Sequence, residues 1–479
     1  MIIQRIFSFP AVTLFMLAWL PVHLLAGFNP DWIRLVNLMT LFVILVGCLG
    51  AAATSIAVSP VRLWFPITWF LLTAAGYYGF GPLLYYFGTA ESIDYSDAYS
   101  YVGNGELYRA NLLNLAGIAS VMGMYILLGK CLARSRSDQI TTDYHRKDIQ
   151  LALWRVSVIF VLIGIPVKFL LVLPRALGLL DVVLPGSIEY FSVLSTLALV
   201  PLFILYRSNK KKYALPFYAL LFIEGGSAFV TLSKLAILKV GIALMLAAVL
   251  TGTRFKRIVI IGLIGAVLYG VVLTPLITLS RMAYGVKGLT SLSDAQSALE
   301  DFARSGRDDA ADLLPGVQSW WCRLNYANAQ SFAMTAYDQG HSGDTFALAL
   351  YILVPRILYP DKPIMTSGFE FNALVVGNPD SQSAPGMFAE AYWNGGWPLA
   401  VFTFLFMGAF YWAWEAYAKR KLAFLRLSYM PVIWLGLFSA IQQDAWFISG
   451  TIGILPIALA FHFMAALFLE RKSRTPIVA

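Results

Sequence analysis

Long apolar runs separated by short polar joints set the rhythm of this chain. A helix of about 20 residues crosses the hydrocarbon core of a bilayer. Apolar runs near that length fall at 7–27, 35–57, 63–87, 109–130, 151–173, 188–206, 214–232, 235–251, 258–279, 396–415, 427–446 and 451–469. The pattern predicts an all-α polytopic membrane protein with about twelve spanning helices. The rhythm stops once, over residues 280–395, which are mostly polar. The expected organisation is therefore a run of spans in 1–279, a large loop in 280–395, and further spans with a short tail in 396–479. Within that loop, residues 345–359 are apolar but short for a crossing, and predict a helix lying on the membrane face and ended by Pro355.

Composition agrees: 59% of residues are hydrophobic and 13% charged, where a soluble chain carries about a quarter charged residues. The net charge of +9 is not a nucleic-acid signature, because most basic residues lie in short joints between spans. One alternating set of joints carries Arg5, Arg62, Lys130, Arg134, Arg136, Arg146, Lys147, Arg207, Lys210, Lys211, Lys212, Arg254, Lys256, Arg257, Lys419, Arg420, Lys421, Arg426, Arg471, Lys472 and Arg474. The opposite short joints carry only Arg34, Arg109, Arg175 and Lys234. By the positive-inside rule both termini are cytoplasmic and the large loop is outside. The first apolar run lacks a small-residue cleavage site and is expected to be retained as a span. Cys48, Cys131 and Cys322 are scattered, so no disulfide framework or zinc site is legible.

Ionisable residues within spans are costly and mark function. Lys168, Glu224, Lys234 and Lys239 fall at one depth near the outer face, and Arg281 follows the ninth run. Snorkelling lysines with one Glu–Lys pair joining helices is the alternative account. In the loop, Arg281, Arg304, Arg307, Arg323, Arg356 and Lys362 place positive charge where it is normally avoided, which points to a phosphate-bearing lipid. Arg356 lies among Pro355, Pro360 and Pro363, and Arg323 follows Trp320 and Trp321. Arg304 and Arg307 sit among Asp301, Asp308, Asp309 and Asp312 and read as their solvated partners. Three of those aspartates, Asp308, Asp309 and Asp312, could hold a divalent ion, with no spacing that favours it. His341, in a turn-rich segment, is either a solvated loop residue or a proton acceptor. Glu390, where the loop re-enters the membrane, could bind sugar hydroxyls, act as a base or pair with an arginine. Asp444 is a weaker candidate of the same kind. Tyr326, Tyr392, Trp393, Trp320 and Trp321 suit sugar stacking or interface anchoring equally. The chain has no GxxxxGK[ST], HExxH or GxSxG motif and no Cys/His cluster, which argues against a nucleotide-driven pump or a metalloprotease.

Three local features carry a resemblance. Ser233-Lys234 precedes the eighth run, Arg281 opens the loop, and Pro355-Arg356, Pro360-Asp361-Lys362-Pro363, Gly368, Ala389-Glu390-Ala391-Tyr392 and Asn394-Gly395-Gly396 form a string along it. With the overall layout, these resemble the O-antigen polymerase (Wzy-type) family, related in architecture to the O-antigen ligases. The resemblance implies a GT-C-like, metal-independent and cofactor-free glycosyltransferase. Its donor would be a glycan on undecaprenyl pyrophosphate and its acceptor a hydroxyl of a second lipid-linked repeat unit, joined with inversion at the anomeric carbon. By position it implies that Lys234 and Arg281 hold the pyrophosphate as its charge develops and that Arg356 holds a donor or acceptor phosphate; Arg281, Arg356 and Glu390 are the expected catalytic residues. Substrate-binding roles fall to Lys168, Glu224, Lys234, Lys239, Arg323, His341, Lys362, Tyr392, Asn394 and Asp444. Expected partners are the lipid-linked oligosaccharides, membrane lipid and a chain-length regulator, with no nucleic acid. The rival expectations are a ligase moving a finished glycan, and a flippase or other transporter.

Overall fold

The computed structural model describes residues 5–132, 145–176, 179–180, 182, 186–230, 234–268, 318–354, 359, 362, 366–378 and 382–469. The described residues form helices and joints without strands. Among the described residues seven helices are long and apolar enough to cross a membrane, and the apolar helices 235–250 and 427–441 are shorter. Helices satisfy every backbone group internally, which is what a hydrocarbon surrounding demands.

Two compact units are present. The first comprises residues 1–137, 316–419 and 433–459. It contains α1 (Phe9–Ala26), α2 (Pro30–Val58), α3 (Pro66–Ala74), α4 (Ala90–Asp97), α5 (Asn104–Leu132), α11 (Ala327–Asp338) and α12 (Ser367–Val376). Most of α13 (Met387–Leu422) and α14 (Met430–Ile441) also belong to it. The second comprises residues 138–315, 420–432 and 460–479. It contains α6 (Lys147–Val167), α7 (Gly186–Ser208), α8 (Lys210–Val230), α9 (Lys234–Leu250) and α10 (Phe255–Leu268).

Local chemistry starts and breaks these helices. Pro30 opens α2, and the Asn29 side chain accepts from the Asp31 N–H at 3.1 Å. The expected span at 63–87 is not one regular helix. After α3 comes a π-helical stretch, Ala75–Phe80, then short turns through Phe87. A Cβ on Gly79 would meet the Leu45 backbone at 2.7 Å, so this broken stretch lies directly on α2. A second break falls in α13. The helix begins at Met387, earlier than the apolar run, and is interrupted at Gly395 and Gly396. Gly396 has φ of 60°, and a Cβ there would also meet the Tyr337 ring at 2.9 Å. The expected surface helix at 345–359 is shorter, Ala349–Leu353, and Pro355 lies outside the described residues.

In the second unit α6 packs along α7, and α7 also lies against α8 and α9. Gly164 makes the first contact possible, since a Cβ there would overlap the Ser195 backbone. Beyond Pro166, α6 widens into a π-helical turn, Lys168–Val172. α7 and α9 begin, and α8 ends, at the end of the unit where α6 finishes, because the four helices run alternately.

Candidate functional site

That end of the second unit gathers charge. Lys168 donates from Nζ to Glu224 Oε2 at 2.5 Å and reaches Thr196 Oγ1 at 3.4 Å. The Thr196 hydroxyl donates to the same Glu224 oxygen. The Glu224 side chain is fully buried, whereas Lys168 keeps 16% exposure. The remaining oxygen, Oε1, is buried without a hydrogen-bond partner. Lys239, one turn into α9, lies within the electrostatic reach of Lys168 and Glu189. Glu189 in turn pairs with Arg175 at 3.4 Å on the exposed rim. The sequence thus placed Lys168, Glu224 and Lys239 at one depth, and the fold brings them to one corner of the unit. Thr196 was not legible, because a hydroxyl inside an apolar helix carries no pattern of its own. Lys234 begins α9 but its side chain lies outside the described residues, as do Arg281 and Arg356 entirely.

In the first unit Glu390 sits on the opening turns of α13 with no exposure. Its Oε1 accepts from the Thr345 hydroxyl at 2.7 Å and its Oε2 from the Phe447 N–H. Asn394, one turn later, donates to Thr345 Oγ1 at 2.9 Å and accepts from the Phe346 N–H at 3.1 Å. Glu390 and Asn394 therefore tie together the polar segment around Thr345, the start of α13 and the turn at Phe447. Both carboxylate oxygens are occupied, and no loop arginine among the described residues pairs with Glu390.

The same region carries an open polar face. Arg109, near the start of α5, pairs with Asp338 at the end of α11, and both are partly exposed. The Tyr392 hydroxyl donates to the other Asp338 oxygen at 3.1 Å. Tyr392 stands edge-on to Tyr337 and Trp397, with centroids 5.5 and 5.6 Å away. Tyr392 itself is buried, so the half-buried Tyr337 and Trp397 are the rings that border the partly exposed Arg109–Asp338 pair. Arg109 and Asp338 are 229 positions apart, so the pair had no local signal. Nearby, His341 is exposed, and its carbonyl accepts from Trp393 Nε1 at 2.8 Å.

Asp444 accepts from the Tyr326 hydroxyl at 3.3 Å, and Tyr77 stands edge-on to Tyr326. Burial pushes the Tyr326 phenol well above its ordinary range, and the Asp444 charge adds to this. Arg323 is exposed and acts on Tyr326 in the opposite sense through its charge. Lys362 reaches the Val354 carbonyl at 3.0 Å and the Ile352 carbonyl at 3.4 Å, at the end of the short helix Ala349–Leu353. Trp321 is anchored by its Nε1 on the Phe80 carbonyl at 2.9 Å, and Trp320 stacks on Phe80 with 43% exposure. Asp97, in α4, is held above the usual carboxylate range by burial.

One buried network has no counterpart in the sequence expectations. Asn114 on α5 and Gln330 on α11 exchange two amide hydrogen bonds, at 2.9 and 2.8 Å, with neither side chain exposed. Each amide satisfies the other, so the polar segment is keyed into the membrane helices. Among the described residues no three metal-ligating side chains converge, and Asp308, Asp309 and Asp312 lie outside them. No family model, curated relative or solved structure matches the chain.

Proposed function

We propose that this chain is a bacterial inner-membrane polysaccharide polymerase of GT-C-like architecture, with about twelve spans in all. It would transfer a glycan from undecaprenyl pyrophosphate to a hydroxyl of a second lipid-linked repeat unit on the outer face. The observation that carries this reading is the Lys168–Glu224 pair. It is a cluster of ionisable groups inside apolar helices, next to Lys239 and lacking a partner at one oxygen. Charge is kept in such a place at a cost of several kcal/mol, and a purely structural role does not need the unfilled acceptor. The partly exposed Arg109–Asp338 pair, held by the buried Tyr392 and bordered by the half-buried Tyr337 and Trp397, supports a carbohydrate substrate.

In the proposed reaction the acceptor hydroxyl attacks the anomeric carbon of the donor. The new glycosidic C–O bond forms as the bond to the pyrophosphate oxygen breaks, and the hydroxyl proton passes to solvent or to a base. Lys234, Arg281 and Arg356 take the developing charge on the pyrophosphate, as the resemblance implies. Glu390, with both oxygens occupied, is assigned to positioning and not to proton transfer. A ligase is the second reading, favoured by the exposed His341 side chain in the loop.

The test is the surface-polysaccharide banding pattern of a deletion strain complemented with wild type or Arg281→Ala. A single-repeat band that only wild type converts to a ladder supports the polymerase. Loss of every repeat, including the first, favours the ligase or a flippase. A full ladder from Arg281→Ala removes that residue from the site.

A further inference from the structure

Two of the three buried glutamates among the described residues, Glu224 and Glu390, differ in one respect. Glu390 has a donor on each carboxylate oxygen. Glu224 has two donors on Oε2 and none on Oε1, although the group is just as deeply buried. An acceptor left unpaired in a buried site costs about 1–3 kcal/mol. Among the described residues six other buried polar atoms also lack a partner, all on hydroxyls or amides, so Glu224 Oε1 is the one carboxyl oxygen in that state. Glu224 Oε1 is therefore a vacant acceptor with a stated demand: a neutral or cationic hydrogen-bond donor.

The surroundings narrow the donor. A metal ion or an amine would meet the Lys168 ammonium, already seated on Oε2, and the charge of Lys239 nearby. A phosphate would face the bare carboxylate oxygen, and the cations here are lysines, which lack the planar two-point fork. A hydroxyl satisfies Oε1 without adding charge. Lys168 has three N–H donors, of which Glu224 and Thr196 take two. One donor and one acceptor thus stand side by side, the pairing that two neighbouring hydroxyls of a sugar ring complement. Lys168 retains 16% exposure beside the fully buried Glu224 side chain.

We propose that Lys168 and Glu224 form a carbohydrate subsite, in which Glu224 Oε1 accepts from one sugar hydroxyl and Lys168 donates to its neighbour. This rests on the reading that the substrate is a lipid-linked glycan, and it assigns the pair to the sugar and not to the pyrophosphate.

The experiment compares binding of two lipids to the full-length protein in nanodiscs. One is the lipid-linked repeat unit that accumulates in the deletion strain, and the other is undecaprenyl pyrophosphate without glycan. Wild type should prefer the glycan-bearing lipid. Glu224→Gln, with its amide oxygen kept on Lys168 and Thr196, turns a donor toward the vacant position. It should lower affinity for the glycan-bearing lipid about tenfold or more and leave undecaprenyl pyrophosphate binding unchanged. A wild-type measurement with the permethylated repeat unit, which has no hydroxyl donors, needs no folded variant and should lose the same preference. The subsite is overturned if Glu224→Gln keeps the preference, if permethylation leaves it intact, or if wild type binds both lipids equally. Those outcomes leave the polymerase reading standing. Failure of wild type to bind either lipid overturns both.

Discussion

At the scale of single residues, the sequence marked the right kind of side chain more often than the right partner. Lys168, Glu224 and Lys239 could be grouped because helix alternation fixes depth from chain position alone. Their hydrogen bonds could not, because Thr196 is one hydroxyl among many in apolar helices. Glu390 shows the same limit: its place at a membrane re-entry was legible, but the Thr345 and Phe447 donors that hold it come from distant segments. Its role can be tested directly. Glu390→Ala strands the buried Phe447 N–H and the Thr345 hydroxyl, and should lower stability by about 3 kcal/mol. The thermal midpoint of the purified protein should fall, while protein that remains folded at low temperature keeps polymerising activity. An unchanged midpoint with lost activity would return Glu390 to the chemistry.

At the scale of elements, the long spans were readable because length and apolarity are summed over many residues. Their breaks were not. The π-helical stretches Ala75–Phe80 and Lys168–Val172 contain no sequence feature that separates them from regular helix, and they are defined by what they pack against. The Gly395–Gly396 break was visible as a glycine pair, yet the helix that precedes it was counted as loop. Close helix contacts have a testable signature. Gly164→Ala pushes a methyl group into the Ser195 backbone, and should destabilise the second unit by about 1–3 kcal/mol. Gly262→Ala, where an added Cβ meets nothing within 4 Å, is the matched control and should stay within about 0.5 kcal/mol of wild type. Equal thermal midpoints for the two variants would show that α6 and α7 have room to spare.

At the scale of the whole molecule, the membrane class follows from the seven helices among the described residues that are long and apolar enough to cross a bilayer, and the orientation is an expectation drawn from where positive charge falls. A membrane-impermeant maleimide tests that orientation. Cysteine at Ser342 should react in intact spheroplasts, and cysteine at Asn209 only after permeabilisation. The reverse pattern would invert the topology and move the polar segment to the cytoplasm. The polar segment itself is less separable than its composition implies. Asn114 and Gln330 each complete the other, so changing either alone leaves the remaining buried amide with its donor and its acceptor both stranded. On the polymerase reading proposed above, a loop grafted from a polymerase of another specificity would arrive with a plug that does not match this socket. Exchanging specificity between such enzymes would therefore mean transplanting part of α5 along with the loop, and hybrids cut at the membrane boundary would fail before substrate choice was ever tested.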